Sequence, residues 1–173
     1  VGASTPSERM RSMRVSSERA KALILLPTVD VVEANIHDPG QLSQVIAGCD
    51  AVINLVGVLH DGRGNSSFAA AHVELSRKVV AACRQHGVRR LVHMSALNAD
   101  PEGPSRYLSS KGEAEAAVAA SGLDWTIVQP SVISGREDAF LNLFEKLLRI
   151  APVLALARAA ARFQPVFVGD AAE

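Results

Sequence analysis

The residues of this sequence that could do chemistry are a tyrosine and a lysine in its second half. Tyr107 and Lys111 stand four positions apart in a segment with helical character. Side chains at that spacing lie on one face of a helix. A lysine ammonium beside a tyrosine can lower the pKa of the phenol and bind a ribose hydroxyl, and the phenol can then exchange a proton with a carbonyl group. The pair therefore predicts proton transfer at a carbonyl.

Each member of the pair also has a purely structural interpretation. Tyr107 could be a half-buried packing residue, and Lys111 could form a surface ion pair with Glu115 one helical turn further on. The surroundings favour the chemical interpretation, because the pair follows by one loop an apolar strand that ends at Ser95.

Strands and helices alternate along the chain and would position these residues. Strands are predicted at 29–36, 51–57, 91–95, 125–128 and 163–168, and helices at 16–26, 39–46, 68–86, 107–121 and 139–150. No strand is predicted within 1–13, where apolar residues do not alternate, and 14–15 is at most the remnant of one. The alternation predicts an α/β fold with a doubly wound parallel sheet and helices on both faces. The continuous apolar run at 51–57 is typical of a strand covered on both faces.

Composition and charge exclude several other classes of protein. The 173 residues suffice for one domain with a core, and 18 basic residues balance 18 acidic ones, so no net charge attracts nucleic acid. Cys49 and Cys83 lack metal-type spacing, which favours a reducing, cytoplasmic compartment. The five histidines have no cysteine or carboxylate partners at ligand spacing, so no metal site is predicted.

Several short strings around these residues resemble one known family. They are Met94-Ser95-Ala96-Leu97, Ser105-Arg106-Tyr107, Lys111-Gly112-Glu113-Ala114-Glu115, Gly122-Leu123-Asp124-Trp125-Thr126-Ile127 and Pro130-Ser131-Val132-Ile133. In these strings the chain resembles the atypical short-chain dehydrogenase/reductases, which bind NAD(P) on a Rossmann-like fold. These strings are most similar to those of the branch that contains the nucleotide-binding accessory subunit of respiratory complex I, its bacterial relatives and the NmrA-like proteins.

The resemblance implies roles for residues at the carboxyl ends of the strands, where doubly wound sheets bind ligands. It implies that Tyr107 donates or accepts the proton, that Lys111 holds the ribose hydroxyls and that Ser95 polarises the carbonyl. The other implied cofactor contacts are Asn35 and Ile36 at the adenine, Leu55, Val56 and Gly57 at the ribose, and Pro130, Ser131 and Val132 at the nicotinamide edge.

The chain departs from the family at its start. Gly2 is the only residue that could belong to the family's glycine-rich turn, and the family's first strand is absent from the sequence. We therefore expect the intact protein to supply that strand upstream, since the sheet would otherwise divide in two. Arg19 remains where many relatives hold a 2′-phosphate with arginines, so NADP and NAD both stay open, with NADP favoured. Asn35 stands where relatives often have an acidic residue, and Gln129 where an arginine is common.

Two functions remain open. One is an NAD(P)-dependent oxidoreductase or epimerase acting on a small hydrophobic or quinone-like carbonyl substrate, because residues 140–156 are apolar. The alternative is a non-catalytic NAD(P)H-binding structural or sensor subunit, whose residues 140–156 would meet a protein partner or the surface of the inner membrane. Both treat 1–173 as one Rossmann-like domain, a fragment of a longer protein, in which 136–173 begins a small C-terminal substrate or partner region.

Overall fold

The computed structural model describes residues 10–14, 28–135, 146, 149–150 and 164–172. All strand pairs in this part of the chain are parallel and form three sheets. The first sheet consists of β1 (Met10–Arg14) and β2 (Val29–Glu33), and the second of β3 (Ala51–Asn54), β4 (Arg90–Met94) and β5 (Asp124–Val128). Two short strands, β6 (Ile133–Ser134) and β7 (Val166–Phe167), form the third.

In the described part of the chain, three of the five predicted helices connect the strands. They are α1 (Pro39–Ile46), α2 (Leu75–Gln85) and α3 (Arg106–Ala119), and a π-helical turn, Ala69–Glu74, leads directly into α2. A short 3₁₀ turn, Gly64–Ser66, precedes it. The starts of α1 and α3 follow from their sequence, because the side chains of Asp38 and Ser105 accept hydrogen bonds from the backbone N–H groups of Gln41 and Leu108.

One hydrophobic core joins the three helices to β4. Leu91 of β4 lies among apolar side chains of all three helices, and these include Leu42 and Ile46 of α1, Leu75, Val79 and Cys83 of α2, and Val118 of α3. Side chains alternate across a strand, so His93 and Ser95 follow Leu91 on the helix-covered side. This alternation brings two polar residues under the helices at the carboxyl end of β4.

The first strand was not foreseen. The prediction that no strand lies within 1–13 was wrong, because Met10–Arg14 forms β1 in parallel register with Val29–Glu33. Parallel pairing is made by backbone hydrogen bonds, and an apolar pattern is not required for them. Among the described residues, β1–β2 and β3–β4–β5 are separate sheets, which is the division expected where the family's first strand does not lie between them.

The cover of β3 also differs from the prediction. Ile53 and Leu55 expose 59% and 63% of their surface, whereas the strand was expected to be covered on both faces. Ile53 pairs with Val92, which faces away from the core that contains Leu91. The described helices therefore cover only one face of the second sheet. The apolar run at 51–57 did not indicate that its other face would be exposed.

Some predictions concern residues outside the described part of the chain. Gly2, Arg19 and most of the helix predicted at 139–150 are among them. The strand predicted at 163–168 is present in shorter form as β7, Val166–Phe167. No helix in the ranges that the structure describes is long and apolar enough to cross a membrane.

Candidate functional site

Lys111 is buried at the carboxyl ends of β3 and β4. It exposes 4% of its surface, and its Nζ donates a hydrogen bond to the carbonyl oxygen of Met94 at 3.2 Å. Burial lowers the pKa of this lysine, while the charge of Glu115 opposes that shift. The surface pair with Glu115 is therefore wrong as an interpretation of Lys111. The Glu115 carboxylate instead accepts hydrogen bonds from Nε2 of Gln129 at 2.8 and 2.9 Å.

Tyr107 lies one turn before Lys111 and packs against two rings. Its ring meets Phe68 and His72 edge-on, with centroids 5.7 and 5.6 Å apart. Burial raises the pKa of the phenol, so the expected lowering by Lys111 is wrong for this structure. The reason is geometric, because the Lys111 ammonium hydrogen-bonds to the backbone of β4.

Ser95 follows Met94 on the buried side of the sheet. Its backbone N–H donates to the carbonyl of Val128 at 2.8 Å, which ties the end of β4 to β5. Its Oγ is buried and has no hydrogen-bond partner among the described residues. An unsatisfied buried hydroxyl costs about 1–3 kcal/mol, so such a group needs an explanation, and a bound ligand is one.

His93 and Asn54 form a buried polar pair between β4 and β3. Nδ2 of Asn54 donates to Nδ1 of His93 at 3.2 Å, and its Oδ1 accepts from the N–H of Val56 at 3.2 Å. This arrangement leaves the proton of His93 on Nε2, which is buried and without a partner in the described part of the chain. Burial, and then the charges of Lys111 and His72, lower the pKa of His93 to about 4.

His72 is the second buried histidine. Its Nε2 accepts from the N–H of Val58 at 3.1 Å, and its Nδ1 lies 2.8 Å from Oγ of Ser110 on α3. Burial, and then the charge of Lys111, lower the pKa of His72 to about 4. The spacing of the histidines excluded a metal site but did not predict either of these hydrogen-bonding roles. One signal was available, since His72 lies between the apolar positions Phe68 and Leu75, and His93 lies two residues after Leu91.

Gly57 allows this polar cluster to approach the backbone after β3. A Cβ atom at this position would lie 3.1 Å from Nζ of Lys111 and 3.8 Å from Nε2 of His72. The segment that contains Leu55, Val56 and Gly57 therefore adjoins the buried end of Lys111. Close approach of a backbone to a charged or ligand group is a common reason for glycine.

Comparison with known proteins assigns this chain to a family. Residues 7–146 match the model of a family described as NAD(P)H-binding. The chain belongs to that NAD(P)H-binding family. The match spans the three polar residues Ser95, Tyr107 and Lys111 and the loop at Gly57.

Relatives of this chain include proteins named as subunits of a mitochondrial NADH dehydrogenase. The chain is 34% identical over 140 residues to NADH dehydrogenase (ubiquinone) 1 alpha subcomplex subunit 9, mitochondrial, of Arabidopsis thaliana, a match that covers 79% of this chain and 34% of the relative. It is 33% identical over 141 residues to the protein of the same name in Mus musculus, covering 80% and 37%. The resemblance inferred from the sequence is thereby confirmed. The chain spans about a third of the length of these relatives.

A solved structure confirms the fold. The dTDP-glucose 4,6-dehydratase DesIV of Streptomyces venezuelae, a double mutant with NAD bound, superposes with a TM-score of 0.80. The two proteins are 21% identical, and the match covers 96% of this chain and 61% of that one. At this identity the likeness concerns the architecture, so the chain has an α/β fold with a parallel, Rossmann-like sheet.

The remaining predicted contacts of the NAD(P)H-binding chain lie at two other strand ends. After β2, Oδ1 of Asn35 accepts from the N–H of His37 at 3.0 Å, and the Asn35 N–H donates to Gln41, while Ile36 is buried in the hydrophobic core. After β5, the segment Pro130, Ser131 and Val132 is half-buried. The carbonyl of Pro130 accepts from the N–H of Leu97 at 2.8 Å, so this segment is tied to the loop after Ser95.

The residues at the ends of β3 and β4 fit a dinucleotide. In the described part of the chain the Lys111 ammonium has one hydrogen-bond partner, so two of its N–H groups could bind ribose hydroxyls. The buried Ser95 hydroxyl could donate to a carbonyl oxygen, and the absence of a side chain at Gly57 lets the Lys111 ammonium approach the backbone there. In the ranges described, no group of three histidine, cysteine or carboxylate residues could hold a metal ion.

Proposed function

We propose that this chain is the dinucleotide-binding part of an NAD(P)-dependent oxidoreductase or epimerase of the atypical short-chain dehydrogenase type. The substrate would be a small hydrophobic or quinone-like carbonyl compound. One observation supports this proposal most. The Lys111 ammonium is buried where β3 and β4 end, beside the backbone at Gly57, and it bonds to the carbonyl of Met94. The next residue, Ser95, has a buried hydroxyl with no partner among the described residues.

The proposed roles follow from the chemistry of each side chain. When bound, the dinucleotide would supply or accept a hydride at the substrate carbon. Lys111 would bind the ribose hydroxyls, Ser95 would donate a hydrogen bond to the substrate oxygen, and Tyr107 would exchange a proton with that oxygen. Burial raises the pKa of Tyr107, so the phenol holds its proton, which is the form that a proton donor in carbonyl reduction requires.

The proposed cofactor is NADPH, with NADH as the alternative. Leu55, Val56 and Gly57 would line the ribose, Pro130, Ser131 and Val132 the nicotinamide edge, and Asn35 and Ile36 the adenine. Gly2 and Arg19 would contact the phosphates. Residues 1–173 would form one domain, and 136–173 would begin the part that selects the substrate. We propose a cytoplasmic compartment, in keeping with the two free cysteines.

A second candidate is a non-catalytic NAD(P)H-binding subunit. The relatives of the chain include proteins named as subunits of mitochondrial NADH dehydrogenase, and here the Lys111 ammonium hydrogen-bonds to Met94. Such a subunit would be stabilised by NADPH through mass action without turning it over. Residues 140–156 would then meet a protein partner or the surface of the inner membrane.

Measuring nucleotide binding tests both proposals, because each requires that the protein bind NADPH. In the full-length protein, NADPH should raise the melting temperature more than NADH does. Lys111→Met should weaken NADPH binding about tenfold or more, as loss of hydrogen bonds from a charged group to the ribose predicts. Lys146→Met changes an exposed lysine and is the matched control. Equal binding by the Lys111→Met and parent proteins would contradict the proposed site.

Turnover separates the enzyme from the subunit. On a panel of hydrophobic carbonyl compounds and quinones, Tyr107→Phe should remove most NADPH oxidation while the affinity for NADPH stays close to that of the parent. Tight NADPH binding with no oxidation across the panel would favour the non-catalytic subunit. Unchanged oxidation by the Tyr107→Phe protein would contradict the role given to the phenol.

A further inference from the structure

His72 connects three parts of the candidate site. It lies in the π-helical turn, bonds to the backbone N–H of Val58 after β3, and bonds to Ser110 on α3. Its ring stacks on Phe68 with centroids 5.3 Å apart and meets Tyr107 edge-on. Only 1% of its surface is exposed. Burying a polar side chain lowers the stability of the fold unless its polar atoms are hydrogen-bonded. Both ring nitrogens of His72 have hydrogen-bond partners.

The hydrogen bonds fix the tautomer of His72. A backbone N–H can only donate, so Nε2 accepts from Val58 and the proton lies on Nδ1. Nδ1 then donates to Oγ of Ser110, whose own hydroxyl donates to the carbonyl of Tyr107 at 2.9 Å. A single chain of hydrogen bonds therefore runs from the loop after β3, through the histidine, to the turn of α3 that carries Tyr107.

The widened helical turn accommodates this ring. In the turn Ala69–Glu74, the N–H of Leu75 donates to the carbonyl of Ala70, five residues earlier. The His72 carbonyl accepts from Oγ of Ser76 at 2.6 Å, so a side chain helps to satisfy the backbone of the widened turn. Single π turns cost helical stability and are frequent at functional sites, where they direct a side chain.

We propose that His72 is a positioning residue of the site described under the proposed function. It would hold the N–H of Val58, and with it the backbone at Gly57, against the buried end of Lys111. It is not a catalytic residue, because its Nε2 is occupied by Val58 and no proton can be taken there without breaking that bond. This inference rests on the proposed function for its effect on nucleotide affinity, and on the geometry alone for its effect on the loop.

Three substitutions at this position separate the two hydrogen bonds. His72→Gln can keep an acceptor near the place of Nε2, opposite Val58. His72→Asn can keep a donor near the place of Nδ1, opposite Ser110. His72→Leu keeps neither bond and preserves most of the packing. A residue that only fills space should tolerate all three similarly.

The first measurement is hydrogen exchange of the Val58 amide, which does not involve the nucleotide. We expect exchange to be about tenfold faster in the Leu and Asn proteins than in the parent, as loss of one net hydrogen bond predicts, and close to the parent in the Gln protein. Equal exchange in the Gln and Asn proteins would overturn the proposal. If the Leu protein does not fold, the comparison of Gln with Asn still decides.

The second measurement is NADPH affinity in the full-length protein. The Gln protein should bind NADPH within about threefold of the parent, and the Asn protein about tenfold more weakly, since one hydrogen bond to the loop is lost. Melting temperatures of the two should be similar, which excludes a general loss of stability as the cause. If the parent itself does not bind NADPH, the proposed function fails while the Val58 result still tests the role of His72. If Val58 exchange is faster in the Asn protein than in the Gln protein but both bind NADPH as tightly as the parent, His72 has only a structural role and the proposal is overturned.

Discussion

Charged side chains are exposed to solvent at the amino ends of the second sheet and buried at its carboxyl ends. At the amino ends, Arg90 of β4 pairs with Asp124 of β5 at 3.3 Å, and their side chains are 39% and 72% exposed. At the carboxyl ends, Lys111 exposes 4% of its surface and lies near two buried histidines. One end of this sheet thus has a solvated ion pair, and the other adjoins the ammonium of Lys111 on α3, which is buried and bonds to a backbone carbonyl.

This difference in burial indicates that the carboxyl ends are less stable than they could be, as is common at a functional site. A solvated ion pair costs little and contributes little, since water screens it. A buried ammonium and unsatisfied polar atoms reduce stability, and they persist where a ligand or a reaction uses them. At the carboxyl ends Ser95 Oγ and His93 Nε2 both lack partners among the described residues.

Acid should unfold the protein through the carboxyl end, and this is the largest effect that we expect. The pKa values of His72 and His93 are lowered from 6.5 to about 4, so the unfolded chain binds protons there that the folded chain does not. Stability is complete above pH 6.5 and falls as the pH drops to about 4. At about 1.4 kcal/mol per pH unit this is on the order of 3 kcal/mol for each histidine. Urea unfolding measured at several pH values between 6.5 and 4 gives the slope of the free energy of unfolding against pH.

Variants show which groups cause the acid sensitivity. The charges that face His72 are those of Lys111, which opposes its protonation, and Asp61, which favours it, and His93 faces Lys111 and His72. A protein with both histidines changed to glutamine should lose much of the slope. His86→Ala removes an exposed histidine that bonds to Ser43 on the surface, and it should keep the slope. A double variant with the parent's slope would assign acid sensitivity to other groups.

Gly112→Ala should cause the next largest loss of stability. A Cβ atom there would clash with the backbone of Asp100 and Pro101, in the loop between Ser95 and Tyr107. Backbone cannot move aside as a flexible side chain can, so we expect a loss of about 3 kcal/mol in the free energy of unfolding. Gly40→Ala in α1 is the control, because its Cβ would meet a side-chain oxygen of Asp38 at 3.2 Å. Similar losses in both proteins would show that the loop is not packed against α3 in this way.

Lys111→Met should raise the stability of the protein without nucleotide by about 1 kcal/mol. Burial lowers the pKa of Lys111, which means that the fold disfavours its charge, and an apolar side chain of similar length avoids that cost. The lost hydrogen bond to Met94 limits the gain. Urea unfolding in the absence of NADPH measures it, with Lys146→Met as the exposed control. A clear loss of stability would mean that the ammonium is a structural tie between α3 and β4.

Much of the fold could be predicted from the sequence, because local patterns determine it. The apolar spacing in α2, the cap Asp38 and the β-branched run of β2 each act within one element. β1 could not be predicted, since its residues are held by pairing with Val29–Glu33 across a distance in the chain. Likewise, nothing in the run 51–57 showed that Ile53 would be exposed.

Candidate site residues could be selected from the sequence, but their contacts could not be predicted. Spacing and strand ends predicted that Ser95, Tyr107 and Lys111 lie near one another. In the structure Lys111 bonds to Met94, the residue before Ser95, whereas Tyr107 lies one helical turn before Lys111 and packs against Phe68 and His72. The direction of Nζ toward Met94 depends on tertiary packing, and so does the raised pKa of the phenol. The histidines were missed because a polar residue on an apolar face was treated only as a possible metal ligand, whereas His72 bonds to a backbone N–H.

The ion pair at the amino ends should give the smallest effect. A double-mutant cycle on Arg90→Ala and Asp124→Ala should yield a coupling free energy below about 0.5 kcal/mol, because both side chains are largely solvated. Arg90 also donates to Thr126 Oγ1 at 2.7 Å, so its single substitution should cost slightly more than that of Asp124. Urea unfolding at low and high salt measures the coupling, which salt should reduce further. A coupling of several kcal/mol would mean that charge is as important to stability at the amino ends as at the carboxyl ends, and the contrast between them would no longer mark the site.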